Sequence, residues 1–181
     1  MSGAGRVAAT LNGVDLDAVR GVRDGFAADP GAGFVPFAAQ VVWRGGYTTD
    51  VVFDEHAELR ADEPAALAGT GTGPSPEELL LGAIGHCLAV GYAGAAAARG
   101  IAIERLSIDV GGAVNLPAAY GVTDGHPGFE AIDVDVRLDA PDARRDELDA
   151  LHEQVVAQAP IPNTVSQPTP VTVRLRDDAS R

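Results

Sequence analysis

The sequence contains no lysine: all 13 of its basic residues are arginine. A Schiff-base enzyme needs an amine nucleophile and a Walker-type phosphate loop needs its lysine, so both classes are excluded. Positive charge of any kind is scarce, since 26 acidic residues bring the formal net charge to -13 and no arginine cluster is interleaved with aromatics. Such a chain repels phosphate backbones, and nucleic acid is not an expected partner. Cysteine is also nearly absent. Cys87 stands alone, which rules out an intrachain disulfide, and the first thirty residues lack the basic start and apolar block of a secretory signal. The cytoplasm is therefore the expected compartment.

What is present fits one domain. At 181 residues and 46% hydrophobic content, a single core can remove about 70% of the unfolded chain's surface from water. Leu79 to Ala98 carries no formal charge and is long enough to span a bilayer. About half of it is Gly and Ala, it contains His86, and acidic rather than basic residues precede it. It therefore reads as a buried core helix, and no membrane is expected as a partner.

Along the chain, Val14, Ala18, Val22 and Phe26 recur every four residues before Pro30, which predicts a short amphipathic helix. Residues 1–30 are read as an N-terminal helical extension and 31–181 as the main domain. β-Branched and aromatic residues over Phe34–Trp43 and Tyr47–Phe53 flank Gly45-Gly46, the composition of a hairpin, and a third short strand is expected around His56–Ala61. Residues 62–76 carry three prolines and three glycines. A loop this long inside a compact domain is either a functional loop or a passive connector.

The next segment opens with Pro76, Glu77 and Glu78 and ends with Arg99 and Gly100, the signals of a helix from start to stop. On it Leu80, Ile84, Cys87, Gly91 and Gly94 share a face whose small residues permit close approach of another backbone. Strand alternation returns at Leu106, Ile108 and Val110, after an irregular start at Ile101 and Ile103, and again at Ile132, Val134, Val136 and Leu138. Val134→Asp is expected to be severely destabilising. An exposed loop over 115–128 joins the two strands. Asp142 is the expected cap of a helix reaching about Ala159, and a last strand is expected with Val171, Val173 and Leu175 inward. This order of elements implies an α+β fold, a mostly antiparallel sheet with helices on one side.

The stretch GPSPEELLLGAIGHCL, with Pro76, Glu77, Leu79 and Leu80 followed by Cys87 ten residues after the glutamate, resembles the OsmC/Ohr superfamily. Residues 60–69 and the ending QPTPVTVRL resemble its OsmC family branch, here with a single cysteine. The likeness runs over about residues 12–176. It implies an intertwined homodimer with long central helices packed together and a reactive site near each cysteine. It further implies a thiol-dependent peroxidase acting on organic hydroperoxides, in which a glutamate and an arginine orient and activate the thiolate. Glu77 matches that glutamate. The arginine of those peroxidases follows a Gly-Gly turn, where this chain has Tyr47, so Arg44 or Arg60 would have to supply the guanidinium. Their resolving cysteine corresponds to the stretch Ala159-Pro160-Ile161-Pro162-Asn163, so an external thiol reductant is implied.

Each residue also has a plainer reading. A cysteine on an apolar helix face with no cation nearby is an inert wall residue. Glu77 would complement the helix dipole, and ten residues of helix place it about 15 Å from Cys87 along the axis. His86 is set about 100° around the helix from Cys87, which argues against a dyad. The remaining histidines, His56, His126 and His152, have no spacing that would gather a metal, and no metal or cofactor is expected. The alternative function is accordingly a non-catalytic dimer that binds a small apolar molecule in a pocket lined by the loop over 62–76, with Cys87 a wall residue.

Overall fold

The structure, a computed structural model, describes residues 9–176; the first eight residues of the expected N-terminal extension lie outside that range. The elements in chain order are β1 (Thr10–Leu11), β2 (Val14–Asp15), α1 (Leu16–Ala28), β3 (Gln40–Gly45), β4 (Thr48–Val52) and β5 (Leu59–Ala61). They continue with α2 (Pro76–Ala98), β6 (Arg105–Val114), α3 (Leu116–Ala119), β7 (Phe129–Asp139), α4 (Arg145–Gln158) and α5 (Pro160–Ser166). All strand pairs are antiparallel, in three separate sheets. This is the α+β arrangement expected from the pattern of elements.

The N-terminal ribbon turns at Asn12 and Gly13, both at positive φ. Asn12 then ties it to the segment after α2: its amide donates to the Ile101 carbonyl and its Oδ1 accepts from the Ile103 N–H, both at 2.9 Å. Asp15 caps α1 through bonds from the Asp17 and Ala18 N–H groups. The predicted hairpin forms at Gly45-Gly46, with φ of +120° and +56°, where a side chain would be strained. Its first strand is shorter than expected, because residues 34–39, which include Pro36, join no ladder.

α2 starts with a capping box between Ser75 and Glu78, and Pro76 occupies the first turn. Its buried stripe is Ile84, Leu88, Tyr92 and Ala96, which pack with Leu151 and Val155 of α4 and with the apolar face of β6 and β7. Each fully buried aliphatic side chain there contributes about 1.5–3 kcal/mol. The expected face ran through Cys87 instead, and in the fold Cys87 borders the stripe. Two glycines set the helix spacing. A Cβ on Gly85 would lie 3.2 Å from Val110, and one on Gly91 would lie 3.1 Å from Val155.

Register in β6–β7 matches Leu106 with Leu138, Ile108 with Val136 and Val110 with Val134, so the apolar residues share one face. Val134 nevertheless stays 36% exposed, because it borders surface cavities rather than the core, and Val134→Asp loses its expected severity within one chain. Ile101 and Ile103 precede the strand without joining it. The loop over 115–128 contains α3, capped by Asn115.

Two further expectations are corrected at the C-terminal end. α4 begins after Arg144, not Asp142: the Glu147 carboxylate reaches back and accepts from the Arg144 N–H at 2.8 Å, which fixes the first turn two residues later than expected. The expected last strand does not form: Val171, Val173 and Leu175 are 84%, 88% and 95% exposed and pair with no strand among the described residues. A strand needs a neighbour's donors and acceptors, and this segment meets none of them. The short helix α5, opened by Pro160, was not anticipated.

Candidate functional site

Cys87 is a half-buried free thiol on the middle of α2, at the wall of a cavity of about 810 Å³. α2 supplies His86, Val90 and Ala95 to this cavity, and α4 supplies Gln154 and Val155. Phe37 and Arg23 complete the other side, from the segment before β3 and from α1, whereas the loop over 62–76, expected to line a ligand pocket, contributes no residue to this one. Among the described residues no hydrogen bond reaches the sulfur. His86 is exposed on the neighbouring helix position and makes no contact of that kind.

The two arginines singled out in the sequence lie together, away from that bonding role. Asp50 of β4 is buried and accepts from Arg44 Nε at 2.6 Å on one oxygen and from Arg60 Nε and Nη2, both at 3.0 Å, on the other. Cross-strand register makes this pairing, since Asp50 sits opposite both Val42 and Arg60. The Arg44 bond first, and the Arg60 bond after it, hold the Asp50 carboxyl below the usual carboxylate range. One carboxylate against two guanidiniums leaves the cluster with one net positive charge.

Glu77 stands on the first turn of α2, ten residues before Cys87 on the same helix. The loop over 62–76 brings the Glu63 carboxylate within range of its charge, held there by Asp62. Asp62 is buried and accepts from the N–H groups of Glu63, Thr70 and Thr72 and from both threonine hydroxyls. These bonds, that of the Thr70 hydroxyl foremost, hold its carboxyl well below the usual range. The clasp pins Glu63, whose Oε2 is buried without a hydrogen-bond partner among the described residues. Burial pushes the Glu63 carboxyl up, and the charges of Glu77, Asp62 and Glu78 push it further. Backbone contacts make the loop intolerant of side chains: a Cβ on Gly69 would fall 1.8 Å from the Glu63 carbonyl oxygen, and one on Gly73 would fall 2.2 Å from that of Arg60.

Four features escaped the sequence reading: Asp50, Glu63, Arg23, and the hydrogen bond between the buried Tyr92 hydroxyl and His152 Nδ1 that joins α2 to α4. Burial raises the pKa of that hydroxyl. Asp50 left a visible signal, an acid within the apolar run of β4. Its partners become visible only when the strand register is known.

An α+β protein with a lone thiol on its central helix, lining an apolar cavity, is the class that fold and site define. The chain belongs to the family of OsmC-like proteins, whose family model matches residues 69–174, more than half of its length. Among solved structures it is similar to an OsmC-like protein from Mycoplasma pneumoniae, with 21% identity and a TM-score of 0.64, covering 74% of this chain and 89% of that one. An organic hydroperoxide resistance protein OsmC from Legionella pneumophila shares 19% identity at a TM-score of 0.55, covering 73% and 90%. An OsmC-like protein of unknown function from Vibrio cholerae shares 13% identity at 0.57, covering 72% and 94%. At these identities the likeness is one of fold. No curated protein matches the chain.

Proposed function

We propose that the protein is a homodimeric thiol peroxidase that reduces organic hydroperoxides through Cys87. The observation that carries this reading is the position of the only thiol, half-buried at the wall of an apolar cavity on the central helix of an OsmC-like fold. The Cys87 thiolate attacks the outer oxygen of R–O–OH. An S–O bond forms as the O–O bond breaks, and the departing alkoxide takes up a proton to leave as the alcohol. One external thiol then displaces water from the sulfenic acid to give a mixed disulfide, and a second thiol releases Cys87 and the oxidised reductant. Two thiols thus supply the two electrons. Glu77 serves as the orienting carboxylate and the Asp50-held pair, Arg60 or Arg44, as the activating cation, both delivered across the subunit boundary.

Bare apolar side chains support the dimer: Phe34, Phe37, Trp43, Val171, Val173 and Leu175 are all exposed in the single chain.

Trapping tests the chemistry. Reduced protein is exposed briefly to cumene hydroperoxide or hydrogen peroxide with dimedone, and its intact mass is compared with that of Cys87→Ala. The expected result is rapid, Cys87-dependent trapping that is faster with the organic peroxide. If Cys87 stays reduced while a free thiol in the same tube is consumed, the peroxidase reading fails. A second reading, a non-catalytic dimer that binds a small apolar molecule, is favoured by one observation: both hairpin arginines are engaged by Asp50 and neither bonds the sulfur. In that case an apolar probe binds equally well to Cys87→Ser.

A further inference from the structure

The turn of the N-terminal ribbon is an Asn-Gly pair, the only one in the chain. Leu11 and Val14 face each other in the β1–β2 ladder, so Asn12 and Gly13 form a two-residue loop, and their φ values of +55° and +75° are those of a type I′ turn. The Asn12 carboxamide is bonded at both ends, Nδ2 donating to the Ile101 carbonyl and Oδ1 accepting from the Ile103 N–H. Among the described residues these are the only hydrogen bonds from residues 9–28 to any residue beyond Gln40. α1, into which the ribbon leads, buries none of its residues. One side chain therefore latches an element with little packing of its own, and every donor and acceptor of the latch belongs to the same chain.

We infer that Asn12 is a site of spontaneous deamidation, guarded by the latch while it is closed and unable to close it again once converted. The Gly13 backbone nitrogen attacks the Asn12 carboxamide carbon. A C–N bond forms in a cyclic imide, and the side-chain nitrogen leaves as ammonia with the Gly13 proton. Water then opens the ring at either carbonyl, giving aspartate or isoaspartate, and no other reactant is needed. Gly13 is exposed and presents no Cβ to shield its nitrogen. A carboxamide held at both ends cannot swing over that nitrogen, so attack waits for the ribbon to open. The product does not fit the closed latch. Aspartate in place of Asn12 has no N–H for the Ile101 carbonyl, which belongs to a residue only 8% exposed, and it sets two acceptors against each other. Isoaspartate adds a carbon to the main chain within the turn and shifts the register of the ribbon. Neither step depends on Cys87 or on peroxide chemistry.

Conversion is followed by peptide mapping with mass detection while the full chain stands in mildly alkaline buffer, with and without urea. Asn12 is expected to convert about tenfold more slowly without urea, the factor that two ordinary hydrogen bonds supply. Hydrogen exchange then reads the latch itself. In Asn12→Asp, the amides of residues 10–28 should exchange about tenfold faster than in wild type, while those of α2 keep their rates because the core stays folded. Aged wild-type protein should show the same acceleration in its converted fraction. Equal conversion with and without urea overturns the guarding, and unchanged exchange over residues 10–28 in Asn12→Asp overturns the latch. Acceleration that spreads equally through α2 overturns it as well, since Asn12 would then support the core rather than hold the extension to it.

Discussion

Two halves of the molecule treat their apolar surface in opposite ways. Around α2, α4 and the β6–β7 ribbon, apolar faces meet one another, and Leu151, Ile84 and Tyr92 are fully enclosed. The β3–β5 sheet packs mainly on itself. One of its faces is centred on the Asp50 charge cluster, and the other leaves Val41, Trp43 and Leu59 bare, aligned through the register with Val51 and Ala61. The first half is complete within one chain. The second leaves an apolar face bare in the single chain, the face that the proposed dimer would cover.

Mutations should separate the halves. The largest effect is expected from Leu151→Ala, which empties a fully enclosed position. Urea unfolding should show a loss of about 2–5 kcal/mol. Trp43→Asp, on a residue 71% exposed in the single chain, should leave that core intact and weaken self-association by about 2–3 kcal/mol, a thirtyfold or greater rise in dimer Kd by sedimentation. An unchanged Kd would break the comparison. Tyr92→Phe removes the bond to His152 while keeping the ring, and should cost about 1 kcal/mol in the same unfolding assay.

The smallest effect at neutral pH is expected from Asp62→Asn, whose amide oxygen still accepts some of the loop bonds, but its pH dependence is diagnostic. Folding lowers the Asp62 pKa, so its stabilisation is fully present above the unfolded value of about 3.9 and is lost as pH falls through the lower folded value. The Tm gap between wild type and Asp62→Asn should therefore be constant above about pH 5 and narrow below pH 4. A gap that widens in acid would contradict the clasp.

Where local chemistry determines structure, the sequence was legible. Gly45-Gly46 made a hairpin, Pro76 with two glutamates opened the long helix, and Gly100 closed it. Alternation located β6 and β7, and the motif around Glu77 and Cys87 identified the family. What stayed hidden depends on register and on contacts between distant elements. Arg44 and Arg60 are sixteen residues apart in sequence and meet only because β4 places Asp50 between them. Tyr92 finds His152 across two helices. Val171 to Leu175 have the alternation of a strand but pair with no strand among the described residues, and propensity alone does not supply the neighbour a strand needs. Arg23 gives no signal in the sequence, because its place at the cavity wall depends on how α1 sits beside α2.

The Asp62 clasp has a consequence for how the chain meets a protease. Three glycines and three prolines would mark residues 62–76 as the natural place for a first cut. Five bonds to a single carboxylate fold this stretch back on itself, however, and a protease needs an extended segment of several residues that can leave the surface. Limited digestion should therefore spare this loop. Its fragments would keep Glu77 joined to the strand that carries Arg60.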